Sequence, residues 1–549
     1  MAKRKRAIAE HVATGAAKVP KSNKTDEAAS ASASASAPRH AVAVTHDIAI
    51  HKRKEAATNG KAAASKTTKA QSARGKGEGD DLPDMATIQV VTGSYERVLH
   101  GFAAAIPRSL FDGQCNDILT PESDRPKVDF TDTFLFNAHS SSIRCLALSP
   151  LSDKTSKIML ATGSTDERIN LYSISTAPPV ASKLRPKLPS LHGGSITENP
   201  KNKELGSLLH HSSNITALYF PTRSKLLSSA EDSTIAITRT RDWTALSTIK
   251  APIPKPQGRP SGDTAGPGEV PSGINDFAVH PSMKVMLSVG KGEKCMRLWN
   301  LITGKKAGVL NFDRKILTAV GEGRFASGEG RRVIWNPEGE GFAVGFERGI
   351  VVFSIDSIPK VQITPMPRTK VHQMHYISPA SRPSTLCVST EDGRVLFYDT
   401  NSTVPSEPSN DDKKAPKDNL PAARLIAQLG GPAAGMTSRV KDFEIINLSL
   451  SILLIITASS DGTVRFWILD TAGLETEDSS KATGFTAKQV GMLVGSYSTG
   501  TRITCLKAFS MTGTPDAEEE EEREKNREEE DVSTDGKDDE TGDSGDEST

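Results

Sequence analysis

Two histidine–aspartate pairings are the residues in this chain best placed to do proton chemistry. His139 and Asp166 are separated by 27 positions and His211 and Asp232 by 21. Each histidine lies just before an apolar alternating run, and each aspartate sits in a short polar turn. An imidazole beside a carboxylate can serve as a general base. The same arrangement can also satisfy itself, making a buried polar set that only braces the fold. Recurrence decides between them: catalysis needs one such pair, whereas a repeated structural unit repeats its bracing. Asp392 and Asp461 occupy comparable turns, and Trp299 and Trp467 close comparable apolar runs, as partial sets. The structural reading is therefore preferred, and no catalytic residue is assigned.

Other chemistry is thinly represented. Gly321-Glu-Gly323 and Gly339-Glu-Gly341 are fragments of phosphate-loop patterns without the full spacing or a following helix, and they read as turns. No GxxxxGK[ST], HExxH or GxSxG motif occurs, and no cofactor is implied. Cys115, Cys145, Cys295, Cys387 and Cys505 are odd in number, far apart and form no CxxC pair, so neither a disulfide framework nor a metal site is expected. Asn214-Ile-Thr216 carries no weight as a glycan acceptor in an apolar strand, and a Trp-Asp-x-Arg motif is missing, because the aromatic strands end Trp299-Asn300 and Trp467-Ile468.

The elements that must hold the pairs follow from a recurring pattern. An apolar run leads into small residues and an Asp turn, then a second alternating run. Ile158–Tyr172, Leu226–Ile237, Thr385–Asp399 and Ile455–Trp467 are clear copies; Val285–Trp299, with Gly292 replacing the Asp, and Phe342–Phe353 are degenerate ones. Period-two alternation predicts half-buried strands joined by tight hairpins. A further strand precedes each copy: Ile143–Leu148, Ile215–Phe220, Ile274–Val279, Val333–Trp335, Val371–Ile377 and Val440–Ile446. Such units, with about four strands each, are the signature of propeller blades. A seventh blade can be assembled from both ends of the folded region, since Gln89–His100 resembles second and third strands and Arg502–Phe509 is a lone first strand. The predicted fold is an all-β, seven-bladed WD-repeat propeller.

Three segments are expected: a disordered basic arm over 1–86, the propeller over 87–510 and a disordered acidic tail over 511–549. Residues 1–86 contain 16 Lys/Arg against 9 Asp/Glu and no aromatics; residues 513–549 contain 4 against 18. These charges, +7 and −14, leave +8 on the middle of a chain whose net charge is only +1. Segments with so little apolar surface cannot offset the entropy of ordering. Lys3, Arg4, Lys5 and Arg6 form a compact basic run that reads as a nuclear targeting signal. No apolar stretch follows that start and the most hydrophobic run, Leu448–Ala458, is too short to span a bilayer, so a soluble intracellular protein is expected. Insertions are expected at 107–131, 175–204, 252–272, 313–328, 401–423 and 471–486. Four of these six join a third strand to a fourth and would crowd one face of the disc.

Val90-Val-Thr-Gly-Ser-Tyr-Glu-Arg-Val-Leu-His-Gly-Phe-Ala103 resembles the opening of the p21-activated-kinase-interacting WD-repeat family. The resemblance continues, in order, through Asn137–His139, Leu209–His211, Leu287–Gly290, Leu298–Asn300 and Arg439–Phe443 with Ala458–Gly462, and ends near Arg502–Phe509. The basic arm is additional to the family pattern, and the tail is acidic where relatives finish Lys-rich. The resemblance implies a non-catalytic nucleolar scaffold for assembly of the large (60S) ribosomal subunit. Its implied partners are pre-ribosomal proteins and rRNA, with the chain present as a single copy in a larger assembly. The alternative it implies is a signalling scaffold that binds and restrains p21-activated kinases.

Overall fold

In the computed structural model the described residues are 85–111, 127–152, 155–179, 188–189, 195–196, 201–253, 272–323, 326–377, 382–404, 420–474 and 487–512. Both charged extensions, with Lys3–Arg6 and Cys115, lie outside them, as does most of five of the six insertions.

Seven antiparallel four-stranded units follow one another, and we letter their strands a to d from the centre outwards. Blade 2 is Ile143–Leu148, Lys157–Ser164, Ile169–Ser175 and Lys203–Leu208; blade 3 is Ile215–Thr222, Lys225–Ala230, Thr234–Arg239 and Ala245–Lys250. Blade 4 is Ile274–Val279, Val285–Gly290, Cys295–Asn300 and Lys305–Asn311; blade 5 is Arg332–Trp335, Gly341–Gly345, Ile350–Ser354 and Pro359–Ile363. Blade 6 is Val371–Tyr376, Thr385–Thr390, Arg394–Val404 and Ala422–Gly430; blade 7 is Val440–Asn447, Ile452–Ser459, Thr463–Asp470 and Met492–Ser498. Blade 1 is the composite: Ile503–Ser510 is its strand a, and Met85–Ser94, Val98–Pro107 and Asp129–Asn137 are b, c and d. Val90 pairs with Phe102 on one side and with Ala508 on the other, so the last described strand closes the ring. The a strands touch in cyclic order, and closure leaves no free inner edge.

Burial explains why inner and outer strands differ in composition. Seven apolar clusters fill the spaces between neighbouring blades. A b strand therefore has core on both faces: every residue of Thr385–Thr390 is buried. This corrects the half-buried expectation, since sheets packed face to face bury both sides of their middle strands. Strand d meets solvent, and all but one residue of Ala245–Lys250 are exposed. Close sheet packing also demands small residues. A Cβ added at Gly163 would lie 2.6 Å from Ile215 Cγ2 and 2.8 Å from Cys145 Sγ; at Gly93 the same distances fall to Ile143 and Cys505.

Connections alternate between two faces. Turns a–b and c–d share one face (the a–b face), and turns b–c and d–a share the other (the b–c face). The flanking strands place four insertions at c–d connections and two at d–a connections. One d–a insertion, 313–328, contains a helix, Arg314–Ala319, where the sequence predicts only an insertion. Asp313 caps it by accepting from the Ile316 N–H at 2.8 Å, and Phe312, Ile316 and Val320 anchor it in the cluster between blades 4 and 5.

Candidate functional site

The paired residues meet on the b–c face. His139 precedes strand a of blade 2 and Asp166 lies in the b–c turn of the same blade. His139 Nδ1 is 3.1 Å from the Asp166 carboxylate, and Nε2 is 2.7 Å from Thr162 Oγ1. A carboxylate only accepts, so Nδ1 carries the proton and Nε2 takes the Thr162 hydroxyl hydrogen. The Ser140 and Arg168 N–H groups also donate to Asp166, at 3.0 and 3.1 Å. Burial pushes the His139 pKa down despite the facing carboxylate, which keeps the ring neutral. Burial opposes ionisation of Asp166, but His139 and the two N–H donors prevail and hold its carboxyl below the usual range.

Blade 3 repeats this geometry. His211 Nδ1 lies 3.2 Å from Asp232 and 2.9 Å from Thr234 Oγ1, and Nε2 lies 2.8 Å from Ser228 Oγ. Thr162 and Ser228 each stand four positions before their turn aspartate. The same strand position is Ser288 in blade 4 and Thr457 in blade 7, and there tryptophans use it: Trp299 Nε1 donates to Ser288 at 2.8 Å and Trp467 Nε1 to Thr457 at 3.2 Å. One four-residue set is thus divided, His and Asp in blades 2 and 3, Trp in blades 4 and 7. In blade 7 the place equivalent to His139 holds buried Met436, and Asp461 instead accepts from the Thr463 N–H at 2.9 Å. In blade 6 Asp392 pairs with fully buried Arg394 at 2.6 Å. In blade 4 Gly292 adopts φ +70° and Glu293 takes over as acceptor, pairing with Arg297.

A further polar set escaped the sequence reading. His100, on strand c of blade 1, places Nε2 2.7 Å from Asp132 on strand d; Tyr497 of blade 7 donates to the same carboxylate. The set joins the last blade to the first. The closing strand is fixed likewise: Leu506 N–H donates to Asp442 at 2.9 Å, Lys507 Nζ to Glu444 at 2.7 Å, and Thr504 Oγ1 to the Ile143 carbonyl at 2.7 Å.

The a strands surround a central channel of about 670 Å³. Two ion pairs line it, Arg332 facing Asp276 at 4.0 Å and Lys507 meeting Glu444. Burial pushes the Cys145 thiol at its wall up to about 12, the behaviour of a packed cysteine rather than a nucleophile. Gly321 and Gly339 have φ of +74° and +79°, as turns require. Among the described residues no cluster of His, Cys, Asp or Glu could hold a metal ion, and no helix is long and apolar enough to cross a membrane.

Comparison with known proteins agrees with this geometry. The family model described as "WD domain, G-beta repeat" matches residues 130–173 and 202–238. Each match runs from a d strand through strands a, b and c of the next blade, and each spans one of the His–Asp sets. Protein MAK11 of Saccharomyces cerevisiae is 27% identical over 412 residues, 71% of this chain and 80% of its own. The p21-activated protein kinase-interacting protein 1-like of Xenopus laevis is 25% identical over 427 residues, 78% of this chain and 83% of its own. That of Danio rerio is 25% identical over 419 residues, 76% and 80%. The chain is a WD-repeat β-propeller, similar over most of its length to MAK11 and to the p21-activated-kinase-interacting proteins.

Proposed function

We infer that this protein is a non-catalytic scaffold for assembly of the large ribosomal subunit, working in the nucleus and nucleolus. The observation that supports this most is the likeness to MAK11, 27% identical over 412 residues that cover 71% of this chain. A non-catalytic role is supported by the His–Asp sets. The same bonds occur in two blades and use both nitrogens of each ring, which leaves neither imidazole a free site for a substrate proton.

Depletion of the protein in its own cells should lower the ratio of large to small subunits, and affinity purification should return large-subunit precursors. An unchanged subunit ratio on complete loss would overturn the reading. The names of the Xenopus and Danio relatives favour a second reading, a scaffold that binds p21-activated kinases. A purification that returned such kinases and no pre-ribosomal protein would favour that one.

A further inference from the structure

We propose that the a–b face of blades 2, 3 and 4 is a docking surface for the phosphate backbone of folded RNA. Lys203, Lys225, Arg241, Lys284, Lys305 and Lys306 all lie at a–b or c–d turns of these blades or at the strand ends beside them, and all are exposed. Among the described residues none of the six makes an ion pair. Among the described residues the nearby acids are Glu204 and Asp242, and Arg239 holds Asp242 at 2.5 Å. Arg223 braces the patch, donating to the Lys157 carbonyl at 2.9 Å and so tying the a–b turns of blades 2 and 3 together.

The b–c face differs. Among the described residues three of its cations are engaged by acids, Lys370 with Glu347 at 2.9 Å, Arg439 with Glu391 at 3.5 Å and Lys291 with Glu231 at 3.8 Å, and exposed cations there without an ion pair, such as Arg97, Lys294 and Arg348, are spread over blades 1, 4 and 5. On the a–b face of blades 5 and 7 the exposed turn residues include Glu338, Glu340, Asp356 and Asp470. Among the described residues this face therefore carries a basic sector on blades 2 to 4 and acidic turns on blades 5 and 7. Unpaired cations release counterions when they meet phosphates, which is the main source of sequence-independent nucleic-acid affinity. Single-stranded binders add aromatic platforms on which bases stack. Here Trp243 packs against the core between blades 2 and 3 and Trp299 is buried. The chemistry fits the backbone of a helix, where phosphates position and bases are not read. Choosing RNA among polyanions rests on the ribosome-assembly reading.

A competitor lies in the chain itself. Thr512 N–H donates to the Thr176 carbonyl at 2.9 Å, so the chain reaches its acidic segment beside the c–d end of blade 2. The test measures binding of the full chain to a short labelled RNA duplex across a salt series. The triple variant Lys225→Glu/Arg241→Glu/Lys305→Glu should bind at least about tenfold more weakly, with a log–log salt slope shallower by about two to three. The triple variant Arg97→Glu/Lys294→Glu/Arg348→Glu, on the b–c face, should stay within about twofold by the same electrostatic argument, and circular dichroism should show both variants folded. Equal losses in the two variants, or none in the first, would overturn the proposal. So would binding of duplex only by the variant in which Glu518–Glu522 are changed to Gln and not by the wild-type chain, since the acidic segment would then hold the face. A sector variant with normal duplex affinity, in a protein whose depletion still lowers the large-subunit ratio, removes the surface and keeps the assembly role. The converse result keeps the surface and removes the role.

Discussion

Asp166 receives bonds from a ring nitrogen and two backbone N–H groups, all contributed by residues flanking strands a and c of its own blade. Replacing it by Ala leaves those donors without their acceptor, at a cost of about 1–3 kcal/mol. His139→Ala should cost a similar amount, and the double variant distinctly less than the sum, because both remove one set; urea denaturation of the four proteins checks this. His375 offers a pH test. It keeps some exposure to the channel, yet desolvation there, followed by Lys507 and Arg332 and opposed by Asp442, pushes its pKa down to about 3. The unfolded chain protonates it near 6.5. Between those values the unfolded state binds a proton that the folded state refuses, so stability falls as pH drops below about 6.5. From pH 7 to pH 5 the melting temperature of His375→Gln should fall less than that of the wild type; equal falls would remove His375 from the account. The turn aspartates were legible because their spacing repeats. His100 and Asp132 were not: a long insertion separates them in sequence, and their third partner, Tyr497, belongs to the other end of the ring. Nor was Arg394, since an Asp-x-Arg turn reads as solvated until the structure buries it.

The sequence repeat and the blade are out of phase. The matched repeats begin on a d strand and end on strand c of the next blade, so every repeat bridges two blades. The terminal strands were legible as parts of one blade because Gln89–His100 has the pattern of second and third strands and Arg502–Phe509 that of a lone first strand. Burial of the middle strands was less legible, because period-two alternation reports contrast between faces and a strand with core on both sides has little. The helix Arg314–Ala319 was missed because six residues are too few to show a 3.6-residue period. Two predictions belong to elements. Gly163→Ala should destabilise the ring by about 1–3 kcal/mol through overpacking against Ile215 and Cys145, read as a lowered denaturation midpoint. A chain ending at Thr499 lacks the inner strand of blade 1 and should lose its cooperative unfolding transition. One ending at Thr512 should keep it.

Over the whole molecule a net charge of +1 conceals segregation by segment and, on the described turns of the a–b face, by sector. Composition revealed the first. The second needed the ring, because turns distant in sequence share a face only once the blades stack. Ring closure also sets an order in time. Met85–Ser94 is made early and its inner partner Ile503–Ser510 more than four hundred residues later. At about 5–20 residues per second this is an interval on the order of tens of seconds. Throughout it the nascent chain carries an unpaired b-strand edge at its start and, from blade 7 onward, an uncovered apolar face on Leu454, Ile456 and Phe466. Exposed edges of this kind recruit other strands. Synthesis rate and chaperone supply, more than the stability of the finished ring, should therefore limit the yield of folded protein.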